Sequence, residues 1–190
     1  MRPCSLRPLL CFLVSMTFGQ AADFNWPGHG TIKLDATPTW KLSGTVTEEG
    51  GYTLLAHPRS GSNALLQVSV LPVPPVLVLS DSDLQLRLHD SLRTYVDQSV
   101  EKEFHAQDLT CRQGKGWYAE LTDASLVGKP AKPDEYKVMR SALLLLEPRT
   151  MAIATMLFDD PQGAEPAEML AIVASMHFHR AADTASAARP

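Results

Sequence analysis

The sequence has few cysteines, no basic excess and no long hydrophobic run. Three cysteines in 190 residues exclude a small fold that depends on several disulfides. The 17 basic residues are outnumbered by 21 acidic ones, so the chain lacks the positive charge that a general nucleic-acid binder needs. No run of about 18 apolar residues occurs, which excludes a multispanning membrane protein. What is present is a 45% hydrophobic content, enough for a packed core.

Residues 1–21 have the order of a secretory signal peptide. Arg2 and Arg7 supply the positive charge, and Leu9 to Phe18 form the apolar segment. Gly19-Gln20-Ala21 places small residues where a signal peptidase needs them, so we expect cleavage after Ala21 or Ala22. The apolar segment is too short to cross about 30 Å of hydrocarbon as a retained helix. The sequence therefore predicts export, with the bacterial periplasm as the expected compartment.

Removal of this segment changes both the charge and the cysteine content. The loss of Arg2 and Arg7 takes the net charge from −4 to −6. Cys111 becomes the one cysteine of the mature chain, so no internal disulfide is possible. The commonest fate of a lone cysteine is a small buried hydrophobe, and no neighbouring motif supplies the base that a catalytic thiol requires.

Short apolar runs punctuated by glycine and proline predict strands. Asp23 to Gly30 is expected to be a loop-like lead-in. The predicted strands are Thr31 to Leu34, Trp40 to Val46, Gly51 to His57, Ala64 to Leu71, Asp108 to Gln113, Gly116 to Leu121, Tyr136 to Glu147, and Arg149 to Phe158. The last two are apolar on both faces, so we expect central strands that are covered on both sides.

Two helices are predicted from apolar residues that recur every three or four positions. The longer one is the mid-chain stripe from Leu88 to Phe104. Its start is ambiguous, because Ser80 to Asp83 resembles a capping box while Leu84, Leu86 and Leu88 alternate as in a strand. The second helix is expected from Pro166 to Met176.

These elements predict the fold class and the extent of the domain. We expect an α+β fold with a mainly antiparallel central sheet of about six or seven strands, flanked by a long mid-chain helix and a C-terminal helix. Residues 22–180 are expected to form a single domain, and residues 181–190 a disordered tail.

The order of strands, long helix, strands and C-terminal helix resembles the PsbP-like fold, which includes the extrinsic photosystem protein PsbP, the Ran-binding Mog protein and DcrB-type bacterial envelope proteins. The matching features are Pro38-Thr39-Trp40, the hairpin from Ala142 to Phe158, and Ile172-Val173-Ala174-Ser175 running into Met176-His177-Phe178. The resemblance covers Thr31 to Phe178. It implies an accessory or docking protein and carries over no catalytic residue.

His177 and His179 are the candidate metal ligands. If residues 176–180 are extended, the two imidazoles face the same way and could hold a metal ion. The alternative is two partly exposed histidines beside the last helix. A third ligand is also needed, and Asp159, Asp160 or His105 cannot be placed by sequence alone.

The other polar motifs do not predict a catalytic site or a cofactor. Arg112 to Gly116 could form an anion-binding turn, but an ordinary hairpin turn fits better, because the helix of a phosphate loop does not follow. Asp159 and Asp160 are adjacent, so on a strand they point to opposite faces and do not form a carboxylate pair.

The sequence is most consistent with an exported, non-catalytic accessory protein of the bacterial cell envelope. Its expected partner is a protein rather than a nucleic acid, and its acidic surface favours a basic patch on that partner. One alternative is a small apolar ligand held between the sheet and the long helix. The other is metal handling through His177 and His179.

Overall fold

The computed structural model describes residues 20–130, 132–133 and 135–181. The predicted signal peptide up to residue 19 and the predicted tail from residue 182 lie outside the described residues. The elements are β1 Gln20–Trp26, β2 Gly30–Ala36, β3 Trp40–Val46, β4 Tyr52–Pro58, β5 Ala64–Pro72, α1 Asp81–Val96, β6 Gln107–Leu109, β7 Lys115–Thr122, β8 Val138–Glu147, β9 Thr150–Phe158, α2 Glu165–Ser175 and β10 His177–Arg180, with a 3₁₀ turn at Ala124–Leu126.

A seven-stranded sheet carries most of the chain. Its strand order is β3-β4-β5-β9-β8-β7-β6, and every neighbouring pair is antiparallel. The predicted hairpin at the centre is confirmed, because β8 and β9 pair along their length with one register shift near Glu147. The sheet therefore has the α+β architecture and the strand number expected from the sequence.

A separate three-stranded sheet has the order β1-β2-β10. The prediction of a loop over Asp23 to Gly30 is wrong for most of its length, because Asp23 to Trp26 belong to β1 and pair with β2. The reason is alternation: Ala22, Phe24 and Trp26 face the core while Asp23 and Asn25 face out. Only the turn at residues 27–29 remains of the predicted lead-in.

Helix α1 begins at the capping box rather than with extended residues. The Ser80 hydroxyl accepts a hydrogen bond from the Asp83 backbone N–H, and the Asp83 carboxylate accepts one from the Ser80 N–H. Leu84 and Leu88 are buried, whereas Leu86 is 60% exposed and does not share their face. The capping box therefore sets the start of α1, and the alternation of leucines does not make these residues extended.

The same helix ends at Val96, earlier than the predicted stripe to Phe104. Ser99 is buried and forms an isolated bridge with Asp123, and the Val100 N–H donates to the Thr122 carbonyl. These bonds hold the chain against β7 and leave Val100 half exposed. The strand predicted for Asp108 to Gln113 is likewise shorter, because the Arg112 N–H turns away to bond the Ala174 carbonyl at the end of α2.

The elements form three layers. The three-stranded sheet and α2 cover one face of the seven-stranded sheet, where a core that includes Ile32, Leu144, Met156 and Ile172 is almost fully buried. Helix α1 lies on the opposite face and packs on β7 and β8 through Leu84, Leu88 and Leu92. Among the described residues, no helix is both long and apolar enough to cross a membrane.

Candidate functional site

The His177 and His179 side chains lie together on the outer face of the three-stranded sheet. Both belong to β10, and their ring centroids are 5.2 Å apart. They lie opposite Lys33 and Thr31 of β2, while Phe178 between them faces the core. The expectation that an extended segment points both imidazoles the same way is confirmed.

The surroundings of this pair do not favour a cation. The Lys33 ammonium lies on the same face and pairs with Asp23 at 3.1 Å, and Asp35 of β2 pairs with Arg112 at 3.0 Å, so both of these carboxylates already have a positive partner. His177 Nδ1 lies 3.2 Å from the Ser175 carbonyl. Within the described ranges, no group of three or more histidine, cysteine or acidic side chains is arranged to hold a metal. Metal binding therefore stays a prediction that rests on two ligands.

Cys111 is a half-buried thiol just after β6, whereas the sequence predicted a buried cysteine within the strand Asp108 to Gln113. Burial, together with the negative charge of Asp108, raises the pKa of its thiol to about 11. Its Sγ donates a hydrogen bond to the Leu109 carbonyl at 3.2 Å. Because the thiolate is the nucleophilic form, this cysteine is unsuited to catalysis near neutral pH.

The Arg112 to Gly116 segment is a structural turn whose charges are already paired. Arg112 pairs with Asp35 at 3.0 Å, and Lys115 pairs with Asp81 at 2.9 Å. Gly114 has a positive φ of 73°, and a Cβ there would lie 1.8 Å from the Leu145 carbonyl oxygen, so glycine is required. The hairpin-turn interpretation fits this geometry better than an anion site.

Asp159 and Asp160 also have structural partners. Asp159 accepts hydrogen bonds from Asn63 at 2.8 Å and from the Lys137 N–H at 3.3 Å. Asp160 accepts one from the Gln162 N–H at 2.9 Å. The two carboxylates therefore position loops separately and do not form an acid–base pair.

A further unassigned feature is an apolar face of the seven-stranded sheet. Helix α1 packs on this face over β7 and β8 and borders Met151 and Ile153 of β9, and it does not extend over β3, β4 and β5. We call this area the open face and define it by its half-buried apolar side chains, which are Leu55, Leu65, Leu71, Met151, Ile153 and Leu157. The cross-strand pairs Leu65 with Leu157 and Leu71 with Met151 make it continuous.

The open face is nearly free of charge. Between its apolar side chains lie Gln67, Ser69 and Thr155, which are neutral. Among the described residues of β3, β4, β5 and β9 that point to this side, Lys41 at the margin is the one with a permanent charge. Depletion of charge around apolar side chains is typical of the centre of a protein interface.

A groove runs along α1 where the open face begins. One cleft of about 270 Å³ lies between Leu88 and Ser91 of the helix and Met151 and Ile153 of the sheet. A second, of about 190 Å³, lies one helical turn further along, beside Tyr95, and borders Leu157. Both clefts open to the surface, and the leucines under the helix are packed.

The sequence prediction that β9 is covered on both sides holds fully on the core face and only in part on the other. Its residues alternate between buried and half-buried positions, because α1 lies mainly over β7 and β8 and contacts β9 at Met151 and Ile153. A signal was present in β5, where Leu65 and Leu71 share a face with Gln67 and Ser69. Apolar residues at both ends of that polar face indicate a surface that is only partly solvated.

Comparison with solved structures shows a PsbP-like fold. The solution structure of cyanobacterial PsbP (CyanoP) from Synechocystis sp. PCC 6803 is similar to this chain with a TM-score of 0.51 and 12% sequence identity. The similarity covers 89% of this chain and 97% of that one. No protein-family model and no curated protein sequence matches. The fold predicted from Pro38-Thr39-Trp40, the central hairpin and the C-terminal helix is thus confirmed.

Proposed function

We propose that this chain is an exported, non-catalytic accessory protein of the bacterial cell envelope, and that its open face binds an amphipathic helix of a partner protein. The observation that carries the proposal is the uncharged apolar face beside α1. An exposed apolar area rimmed by polar residues marks an interaction site more often than it marks a packing defect. The accessory role that the PsbP-like resemblance implies agrees with it.

The dimensions of the face favour a helix as the occupant. The residues from Met151 to Leu157 extend for about 20 Å at roughly 3.3 Å per strand residue. A helix of about 14 residues has the same length. Helices pack about 8–10 Å apart, so a partner helix would lie beside α1 and fill the groove over Ile153 and Leu157.

The net charge of this chain indicates which residues should flank the apolar stripe of the partner helix. The open face is neutral apart from Lys41 at its margin, and the chain as a whole carries 21 acidic against 17 basic residues. A partner helix with an apolar stripe and basic flanks matches this pattern, because its stripe meets the face and its flanks are attracted by the net negative charge of the chain. The affinity of the partner helix then depends on the apolar area that it buries. Its rate of association falls as the salt concentration rises.

A small apolar ligand is the second candidate, and the clefts argue against it. Ligand pockets usually enclose about 300–1,000 Å³. The clefts between α1 and the sheet measure about 270 and 190 Å³ and are open to the surface, and the larger clefts, of about 470 and 540 Å³, lie away from the open face and are open as well. A shallow, elongated groove is better matched by a protein segment than by an enclosed molecule.

Export is part of the proposal. Gln20 and Ala21 begin β1, so cleavage after Ala21 or Ala22 would shorten that strand and leave its core residues Phe24 and Trp26 in place. N-terminal sequencing of the protein recovered from a periplasmic extract should give a start at Ala22 or Asp23. An intact Met1, or acylation of Cys11, would contradict it.

Photo-crosslinking in living cells tests the binding face. We would place a benzophenone amino acid at Ile153 or Leu65 of the full chain, and at His179 on the opposite layer as the matched control. Adducts should form from the first two positions, and mass spectrometry should locate the partner's crosslinked residue on an amphipathic helix with basic flanks. An Ile153→Asp substitution should abolish the Leu65 adduct.

Two results would contradict the binding proposal. One is equal crosslinking from His179, which would show no preference for the open face. The other is a crosslinked residue outside any amphipathic helix. Circular dichroism of Ile153→Asp must show a folded protein, because Ile153 packs against the apolar cluster under α1 and a charge there could destabilise the fold.

A further inference from the structure

Strand β3 is an unprotected edge of the seven-stranded sheet. Its residues Trp40–Val46 pair with β4 without a bulge, and within the described part of the chain no other strand pairs with them. The segment from Ser43 to Val46 is exposed, and the strand contains no proline. A long regular edge of this kind is a template for the addition of another strand.

The hydrogen bonds between β3 and β4 show which backbone N–H and C=O groups of β3 remain unpaired. The Thr47 N–H bonds the Gly51 carbonyl at one end of the hairpin, and the Arg59 N–H bonds the Thr39 carbonyl at the other. Since antiparallel pairs alternate between bonded and non-bonded, Leu42, Gly44 and Val46 point their N–H and C=O groups away from β4. Three consecutive outward sites are therefore available.

The other sheet edges are protected. Strand β6 has three residues. Gln113 covers β10, because its side chain accepts a hydrogen bond from the Phe178 N–H at 2.6 Å and donates one to the Phe178 carbonyl at 3.2 Å. Strand β1 carries a charged Asp23 at its centre, whereas the one charged residue of β3, Lys41, lies near its end. Among the described residues, β3 is therefore the sheet edge that lacks such protection.

We propose that β3 pairs antiparallel with β3 of a second copy of this chain, across a two-fold axis at Gly44. In this register Leu42 lies opposite Val46 of the second copy, and Ser43 lies opposite Thr45. The Trp40 N–H already bonds the Thr37 carbonyl, which disfavours the register shifted to use Trp40. The three outward residues of each copy then exchange about six hydrogen bonds.

Charge complementarity supports a second copy as the occupant. Lys41 lies near one end of β3, and Glu48 and Glu49 lie in the turn after its other end. Antiparallel pairing places each Lys41 opposite Thr47 of the second copy, beside the acidic turn. None of these three side chains forms an ion pair with any described residue, so all are available for the contact.

Burial of apolar side chains also favours the two-fold pairing of β3. Val46 is 46% exposed, and half-buried Leu42 borders an open cleft of about 540 Å³ between β1 and β3. Phe24 of β1 lies over Gly44, where an added Cβ would be 2.9 Å from its ring. The two-fold pairing covers these side chains. A single strand pair buries less surface than a standard interface of roughly 1,200 Å² or more, so we expect a weak and reversible dimer.

Sedimentation velocity over a concentration series tests this proposal with the full chain. The mass should rise from monomer to dimer with concentration. Val46→Pro removes an outward N–H without breaking a bond to β4, so it should shift the equilibrium toward monomer at least tenfold. Lys41→Glu should do the same. Reversal of Glu48 and Glu49 to lysine in the Lys41→Glu background should restore association to within about threefold of the original.

The control is Lys129→Glu, which makes the same change in net charge at an exposed site away from β3 and should have no effect. Thermal melting by circular dichroism verifies that each variant folds. A chain that stays monomeric at every concentration overturns the proposal. So does a dimer that persists in both Val46→Pro and Lys41→Glu. The edge is distinct from the open face, so either result leaves helix binding to be judged separately.

Discussion

Replacement of Leu144 by alanine should destabilise the protein far more than the same change at Leu157. The two leucines lie on neighbouring central strands, β8 and β9, but on opposite faces of the sheet. Leu144 is 0% exposed and lies in the core between the layers. Leu157 lies on the open face and is half-buried.

The magnitude follows from what each truncation removes. A fully buried leucine truncated to alanine loses its transfer free energy and leaves a cavity, which costs about 2–5 kcal/mol. At Leu157 the surface is already partly wet and no enclosed cavity results, so we expect about 1 kcal/mol. For a chain of this size, a loss of about 3 kcal/mol lowers the Tm by roughly 6–12 °C.

Urea denaturation followed by far-UV circular dichroism measures both free energies of unfolding. The slope of the unfolding free energy against urea should stay constant, so that the midpoint reports stability alone. Equal losses at Leu144 and Leu157 would refute the assignment of an open face, since they would mean that both sides of β9 and β8 are equally covered. A near-zero loss at Leu144 would refute its place in the core.

Three further predictions concern titratable groups. Cys111 should react slowly with a thiol reagent near pH 8 and faster as pH approaches about 11, because its raised pKa keeps the thiol protonated; equal rates in the folded and urea-unfolded chain would contradict this. Burial opposes ionisation of Glu101, but hydrogen bonds from the Thr122 N–H and hydroxyl prevail and lower its pKa. Glu101→Gln should therefore lower the Tm at pH 7, and the difference should shrink as pH falls through and below 4.5, the ordinary pKa of a glutamate; a difference that grows in acid would contradict it. Elemental analysis of untagged protein should give no stoichiometric metal, whereas zinc, copper or nickel that is lost in a His177→Ala, His179→Ala double variant would support metal handling instead.

Some of the fold could be predicted because the information is local. The Ser80 and Asp83 pair satisfies the first backbone N–H groups of α1 within one turn, so the capping pattern alone indicates the start of the helix. Alternation in Ala64 to Leu71 and the apolar hairpin around Pro148 likewise indicate strands and their pairing. The α+β class and the two helices therefore follow from the residues themselves.

Other features depend on contacts between distant segments, and only the tertiary structure decides them. Asp23 to Trp26 form a strand because β2 supplies its ladder and the core accepts Phe24 and Trp26, whereas the proline and glycines nearby favour a loop. Helix α1 ends at Val96 because Ser99 and Val100 bond to residues of the β7 region. Periodicity does not report such bonds.

The candidate sites also divide into features that the sequence predicts and features that only the tertiary structure decides. Sequence places His177 and His179 two residues apart, and that spacing is sufficient to put both imidazoles on one face of an extended strand. It does not place Lys33 and Asp23 beside them, because those residues arrive through β2 and β1. The open face exists because α1 packs mainly on β7 and β8 and reaches β9 only at Met151 and Ile153. Both sides of β9 are apolar in sequence, and the position of one helix decides which side stays accessible to a partner.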